Sequence, residues 1–224
     1  MKLGVLLPTF RYGADDALAR ADEAAAAGLD GVFAYDHLWP MGSPERPSLA
    51  PFALLAAIAV RQESLVLGPL VARVSLVDTE HLVEEFATLA TLAPGRVIAA
   101  LGTGDHLSEA ENVAYGLGSS DAKGRRELLR DAATALVPRM PVWIGAGGEE
   151  TNQLAREVGA ELNVWDFSPA RVRELSLAGP VSWAGPVPDD LPAMLDALES
   201  AGATWAVFSP QVSIDALREW RTTR

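Results

Sequence analysis

Apolar and polar positions along the chain fall into two alternating kinds of run. Short, nearly unbroken apolar runs occupy 3–8, 31–35, 65–72, 96–101, 141–145, 161–165, 180–184 and 204–208. Runs this short that are apolar on both faces predict strands of a parallel sheet covered by helices. Longer stretches near 14–28, 50–61, 78–93, 120–137, 149–159, 168–177, 189–201 and 213–222 predict those helices. Several open on residues whose side chains accept from first-turn N–H groups: Asp78 or Thr79, Ser168 before Pro169, Asp189 or Asp190, and Ser213. Several stop at a glycine: Gly28, Gly159, Gly179 and Gly202. Only 104–122, rich in Gly, Ser, Asn and Glu, reads as loose. No linker or low-complexity segment divides the chain, so a single domain over 1–224 is expected.

Strand–helix repeats in this order predict an α/β fold, a compact (β/α)8 TIM barrel. The rival is an open doubly wound sheet. That fold would want G-x-G-x-x-G after the first strand, and "PTFRYG" does not comply.

A barrel puts its chemistry at the C-terminal strand ends. Those ends carry Thr9, Phe10 and Arg11; Asp36, His37 and Trp39; Ala72 and Arg73; and Gly102, Thr103, Gly104 and Asp105. Further along come Gly145, Ala146, Gly147 and Gly148, then Trp165, Asp166, Trp183, Pro210 and Gln211. Such a rim suits a flat, anionic, aromatic ligand. Histidine is the residue type that exchanges protons near neutral pH, and Asp36 could orient His37. A histidine bonded to backbone would read the same way. Asp105 in "GTGD" could act as an acid, or simply cap the next segment. "IGAGGEE" offers backbone N–H groups to an anion at a helix start, although Glu149 and Glu150 would repel a phosphate lying on that turn.

Composition removes several classes of function. With no cysteine, disulfide frameworks, Cys-based metal sites and thiol nucleophiles are excluded. A formal net charge of −12 gives nucleic acid no basic footprint, and an anionic ligand must be held locally. His37, His81 and His106 show no H-x-x-H or H-E-x-x-H spacing, so no metal site is expected. His81 falls in the first turn of 78–93, and His106 falls in the loose stretch. There is no G-x-S-x-G for a serine hydrolase. The opening "MKLGVLLPTF" is too short for a signal peptide, and the apolar stretch 51–60 is too short for a membrane span. A cytoplasmic protein with no membrane partner is the expectation.

Taken together, the pieces resemble the bacterial luciferase-like superfamily, especially its coenzyme F420-dependent oxidoreductases. "ADEAAAAGLDGVFAYDHL" carries the most specific part of the likeness. "KLGVLLP", "LVLGPLVARVSL", "EEFATLATLAPGRVIAALGTGD" and "ENVAYGL" followed by Arg125 and Arg126 continue it. "MPVWIGAGGEETNQLAREVGAELNVW" and "WAGPVPDDLPAMLDALESAGATWAVF" complete it. The resemblance implies a barrel with a deazaflavin (F420), or alternatively FMN, across its C-terminal mouth. It implies His37 near the reactive face of the ring, preceded by Asp36, and Asp105 where some members keep an acid. Trp39 would line the pocket. Gly102 and Gly104 would lie beside the cofactor, and Gly145, Ala146, Gly147 and Gly148 would bind its phosphate. Leu70–Val71 falls where many members have a cis non-proline bond under the ring. Arg11, Arg73, Arg125 and Arg126 are candidates to balance the cofactor's acidic tail. The implied activity is hydride transfer between deazaflavin and a small organic substrate, in a homodimer. An FMN-dependent monooxygenase and a non-catalytic flavin-binding barrel are the alternatives. The stretches 126–141 and 165–180 are shorter than usual for the family, and the usual Arg-His-Pro after the third strand is missing.

Overall fold

The apolar runs become strands β1 (Lys2–Leu6), β2 (Gly31–Ala34), β3 (Val66–Pro69), β4 (Ala72–Arg73), β5 (Ala99–Gly102), β6 (Val142–Gly145), β7 (Glu161–Trp165), β8 (Val181–Gly185) and β9 (Trp205–Phe208). The computed structural model describes residues 1–40, 42–104, 108–116 and 121–223. The strands pair in parallel in the order β3-β2-β1-β9-β8-β7-β6-β5-β4. The run 65–72, expected as one strand, is in fact two. β3 keeps register with β2 (Gly31 opposite Val66), whereas β4 pairs with β5 (Ala72 opposite Leu101). The Leu70–Val71 peptide between them is cis. Leu67 N donates to Arg96 O at 2.7 Å and Ile98 N to Leu67 O at 2.9 Å. The two ends of the ladder therefore meet, and the expected (β/α)8 barrel closes with its third strand broken in two.

Around it run α1 (Asp15–Ala26), α2 (Pro51–Arg61), α3 (Thr79–Leu92), α4 (Glu109–Ala114), α5 (Ala122–Leu136), α6 (Glu149–Val158), α7 (Pro169–Ser176), α8 (Leu191–Ser200) and α9 (Ile214–Thr222). Asp78, Ser168, Asp190 and Ser213 each cap their helix by accepting from the N–H three residues on. Gly159 ends α6 in the left-handed conformation (φ 76°), which glycine adopts without steric cost. The short α4 corrects the expectation of a loose stretch. It shows little apolar periodicity, and its buried residue is Glu111 rather than a hydrophobe. None of the described helices is long and apolar enough to cross a membrane.

Two apolar layers hold the barrel. Residues such as Leu3, Val32, Leu55, Phe86, Leu129 and Leu217 fill the space between strands and helices. Inside the barrel, Phe33 stacks on Trp143 at 5.3 Å and meets Trp205 edge-on at 5.7 Å. This packed interior leaves the mouth as the place for chemistry. At the opposite end, Glu161 accepts a hydrogen bond from Thr204 Oγ1. At the seam, Arg96 donates to the carbonyls of Gln62 and Leu65, each at 2.9 Å, and of Ala59 at 3.2 Å. It thereby ties the end of α2 to the approach to β3.

Candidate active site

β2 is buried along its whole length, so its position is set by the core, and Asp36 and His37 follow its end after Tyr35. The Asp36 carboxylate accepts from Arg73 N at 2.8 Å, and Arg73 Nε donates back to Asp36 O at 3.1 Å. This double contact ties the end of β2 to β4. The guanidinium then reaches α4, where Nη2 forms an ion pair with Glu111 Oε2 at 2.7 Å and Nη1 donates to Asn112 Oδ1 at 3.4 Å. The other oxygen, Glu111 Oε1, lies 3.0 Å from His37 Nδ1, and Leu38 N donates to Oε2 at 3.3 Å. The Arg73 and Glu111 side chains are 4% and 1% exposed, whereas His37 is 24% exposed. Two buried charges are tolerated here because each is paired and further hydrogen-bonded. Burial pushes the Asp36 carboxyl above its usual range; the Arg73 N–H and charge and His37 oppose this, and Glu111 adds to it.

Asp36, His37 and Arg73 open onto a cleft of about 460 Å³ whose apolar wall includes Leu49, Phe52, Leu76, Val77 and Leu82. Glu85 stands in the same wall. Burial raises its carboxyl as well, with His81 opposing and Asp36 adding. Trp39 is buried and packs on Tyr115 at 5.7 Å. Tyr115 lines the cleft, so Trp39 stands one layer behind it.

On the barrel axis, Val71 follows the cis bond and leans over β5 and β6. A Cβ on Gly102 would collide with the Val71 side chain, and one on Gly145 would stand 3.6 Å from it. The space beside Gly102 is thus taken by Val71, and Gly104 lies against the stem of Arg73. Across the mouth, Phe10 stacks on Tyr35 at 5.4 Å, and Tyr35 meets Trp165 at 6.3 Å. Burial raises the Tyr35 phenol, and a hydrogen bond with Ser209 works against the rise.

After β6, the loop of Gly145, Ala146, Gly147 and Gly148 leads into α6, whose N-cap Gly148 supplies no side-chain cap. Gly147 N donates to Asn152 Oδ1 at 3.3 Å, so that N–H is already engaged. Glu149 pairs with Arg156 at 2.8 Å and Glu150 with Arg126 at 2.6 Å. The two acids that would repel a phosphate are therefore each matched by an arginine. Arg11 pairs with Asp16 at 3.4 Å, and Arg125 lies on α5. Asp105 and His106 lie outside the described residues.

Sequence reasoning found Asp36, His37 and Arg73 but gave Glu111 no role. Glu111 and His37 are 74 positions apart, and only the fold brings them together. The one available signal was the resemblance of "ENVAYGL", which does not say what its glutamate touches.

The chain is similar to several known proteins. An F420-dependent glucose-6-phosphate dehydrogenase of Beutenbergia cavernae is 33% identical over 146 residues, 65% of this chain and 42% of that protein. An F420-dependent hydroxymycolic acid dehydrogenase of Mycobacterium tuberculosis is 34% identical over 108 residues, 48% of this chain and 30% of that protein. The matched part of this chain thus spans less than half the length of either relative. Among solved structures, an F420-dependent secondary alcohol dehydrogenase in complex with an F420–acetone adduct superposes with a TM-score of 0.80 at 15% identity, covering 97% of both chains. The model of the luciferase-like monooxygenase family matches residues 1–137, more than half of the chain, and the chain belongs to that family.

Proposed function

We propose that this protein is a coenzyme F420-dependent oxidoreductase that exchanges a hydride between the deazaflavin and a small organic substrate. The observation that carries the reading is His37, held by Glu111 at one ring nitrogen, lining a largely apolar cleft at the barrel mouth. Both curated relatives named above are F420-dependent dehydrogenases by name, which favours deazaflavin over FMN.

The residues present fit such a group. Val71 and Tyr35 offer an apolar floor for a flat ring. The open side of Gly148, where a Cβ would meet nothing, leaves room for a phosphate at the start of α6. When bound, the deazaflavin supplies the ring carbon that gives or takes the hydride. The protein does the rest. Ala146 N and Gly147 N are already engaged within the protein, so Gly148 and the first turn of α6 would hold the phosphate, with Arg126 offsetting Glu150. Val71 and Tyr35 support the ring and exclude water from one face. His37 takes the proton from a substrate hydroxyl in the oxidising direction and returns it in the reducing direction. Asp105 is an additional acid in this reading. The protein acts as a cytoplasmic homodimer, for which exposed Val60 and Leu92 on the packed pair α2 and α3 give an apolar contact.

Titration of the purified protein with F420 and, separately, with FMN, followed by cofactor fluorescence, tests the assignment. Saturable micromolar binding of F420 is the expected result. Binding of FMN without F420 transfers the protein to the flavin monooxygenase reading. Binding of neither leaves a barrel without redox function.

A further inference from the structure

The chemistry of His37 depends on which ring nitrogen carries the proton, and the contacts around Glu111 decide that. Oε2 of Glu111 faces two groups that can only donate, the Arg73 guanidinium and Leu38 N–H. Arginine keeps its proton in proteins, so a buried Arg73 requires a carboxylate beside it and not a carboxylic acid. The remaining oxygen, Oε1, therefore accepts, and its partner at 3.0 Å is His37 Nδ1. In a neutral imidazole one nitrogen donates and the other accepts. We propose that Glu111 is a positioning residue that fixes His37 as the Nδ1–H tautomer, leaving Nε2 as the proton acceptor toward the cleft.

The rest of the surroundings agree with this assignment. Nε2 has no hydrogen-bond partner among the described residues, and the ring lines the cleft. Among the described residues, the charged groups around His37 are Asp36, Arg73, Glu85 and Glu111. Of these, Glu111 is the one that contacts the imidazole, because Asp36 is directed to Arg73 N. Arg73 does not touch His37; it anchors the carboxylate that does. The result is a chain Arg73–Glu111–His37 built from three elements of the barrel rim, β4, α4 and the end of β2. Its effect on catalysis passes through His37, on whose proton-exchanging role in the proposed reaction this inference rests.

Replacing Glu111 by Gln gives a directional test. The amide has one oxygen, and Arg73 and Leu38 N–H both require an acceptor, so the oxygen turns to them. The amide NH2 then faces His37 Nδ1, which must accept, and the proton moves to Nε2. The experiment is nitrogen NMR of histidine-labelled, cofactor-free protein at about pH 8.5, where histidine is neutral. The His37 signals are assigned by their loss in His37→Asn. In the native protein, Nδ1 is expected to give the protonated, pyrrole-type signal and Nε2 the unprotonated, pyridine-type signal. In Glu111→Gln the two signals are expected to exchange character, and in Glu111→Asp they should keep the native order. A native protein with its proton on Nε2 overturns the proposal, and so does a Glu111→Gln variant that keeps the native order. If Glu111→Gln does not fold, the native spectrum alone decides. Because no cofactor is present, failure of F420 to bind counts against the function proposed above and leaves the tautomer result standing.

Discussion

His37 and Glu111 do different work at one hydrogen bond, so their substitutions separate binding from chemistry. In His37→Ala, Glu111 keeps both Arg73 and Leu38 N–H, so the ion pair that ties β4 to α4 survives. The cleft loses the imidazole, the proton-exchanging group of the proposed reaction, and little else. Single-turnover hydride transfer should slow by ~10²–10⁴-fold, the usual worth of a positioned acid–base group. The dissociation constant for F420, read by fluorescence, should move only a few-fold. An unchanged transfer rate would make His37 a structural histidine. At this scale the sequence was informative where function is local. Asp36 and His37 stand together at a strand end, and the chain itself displays them. Glu111 sits in a polar, glycine-bordered stretch, and nothing in its immediate neighbours distinguishes a buried acid from a solvated one. Its burial is set by Arg73, a residue 38 positions away in the chain's numbering.

Elements show the same division between local and distant causes. The caps at Asp78, Ser168, Asp190 and Ser213 were legible because a cap is decided within one helical turn. The break between β3 and β4 was legible only in part: Gly68 and Pro69 mark the run 65–72 and the resemblance pointed to Leu70–Val71, but the apolar pattern continues past them and reads as one strand. The seam that this break leaves is held partly by Arg96, which donates to three carbonyls from 59 to 65. Charge-assisted bonds of this kind are worth more than neutral ones, so Arg96→Ala should cost about 2–3 kcal/mol. For a chain of this size that is a fall of roughly 5–10 °C in melting temperature. A fall of less than about 1 °C would mean that water replaces the side chain at little cost. At the other end of the barrel, burial raises the Glu161 carboxyl, while hydrogen bonds from Thr204, Ser182 and Trp143 and the charge of Lys2 oppose the rise. A folded-state value above the unfolded one means that the native protein binds the extra proton. That contribution is complete below the ordinary glutamate range and is lost as pH rises through the folded value. Glu161→Gln should therefore flatten the decline of melting temperature from about pH 4.5 upward. Parallel pH curves for variant and native protein would remove Glu161 as the cause.

At the scale of the whole molecule, the barrel closes with short connections, and this shapes the mouth. On the mouth side only residues 166–168 lie between β7 and α7, and only 186–190 between β8 and α8. Little chain is left there to cover the rim, and Trp165 at the end of β7 is 47% exposed. Apolar side chains also stand on the outside. Val60 near the end of α2 is 69% exposed, and Leu92 at the end of α3 is 39% exposed. These two helices pack on each other, and each of these residues stands near the C-terminal end of its helix. A second copy of the chain would bury them, and burial of one such side chain is worth about 1.5–3 kcal/mol. Sedimentation equilibrium at micromolar concentration should therefore give twice the chain mass for the native protein. Val60→Lys should shift the equilibrium toward single chains, because a two-fold contact presents the same substitution from both sides. The candidate cleft lies around the N-terminal starts of α2 and α3, where Pro51, Phe52 and Leu82 line it, away from Val60 and Leu92. F420 binding by the variant should accordingly stay within a few-fold of native. A native mass of one chain removes the homodimer from the proposed function and leaves the site argument intact. A native dimer that Val60→Lys does not weaken moves the contact to another face of the barrel.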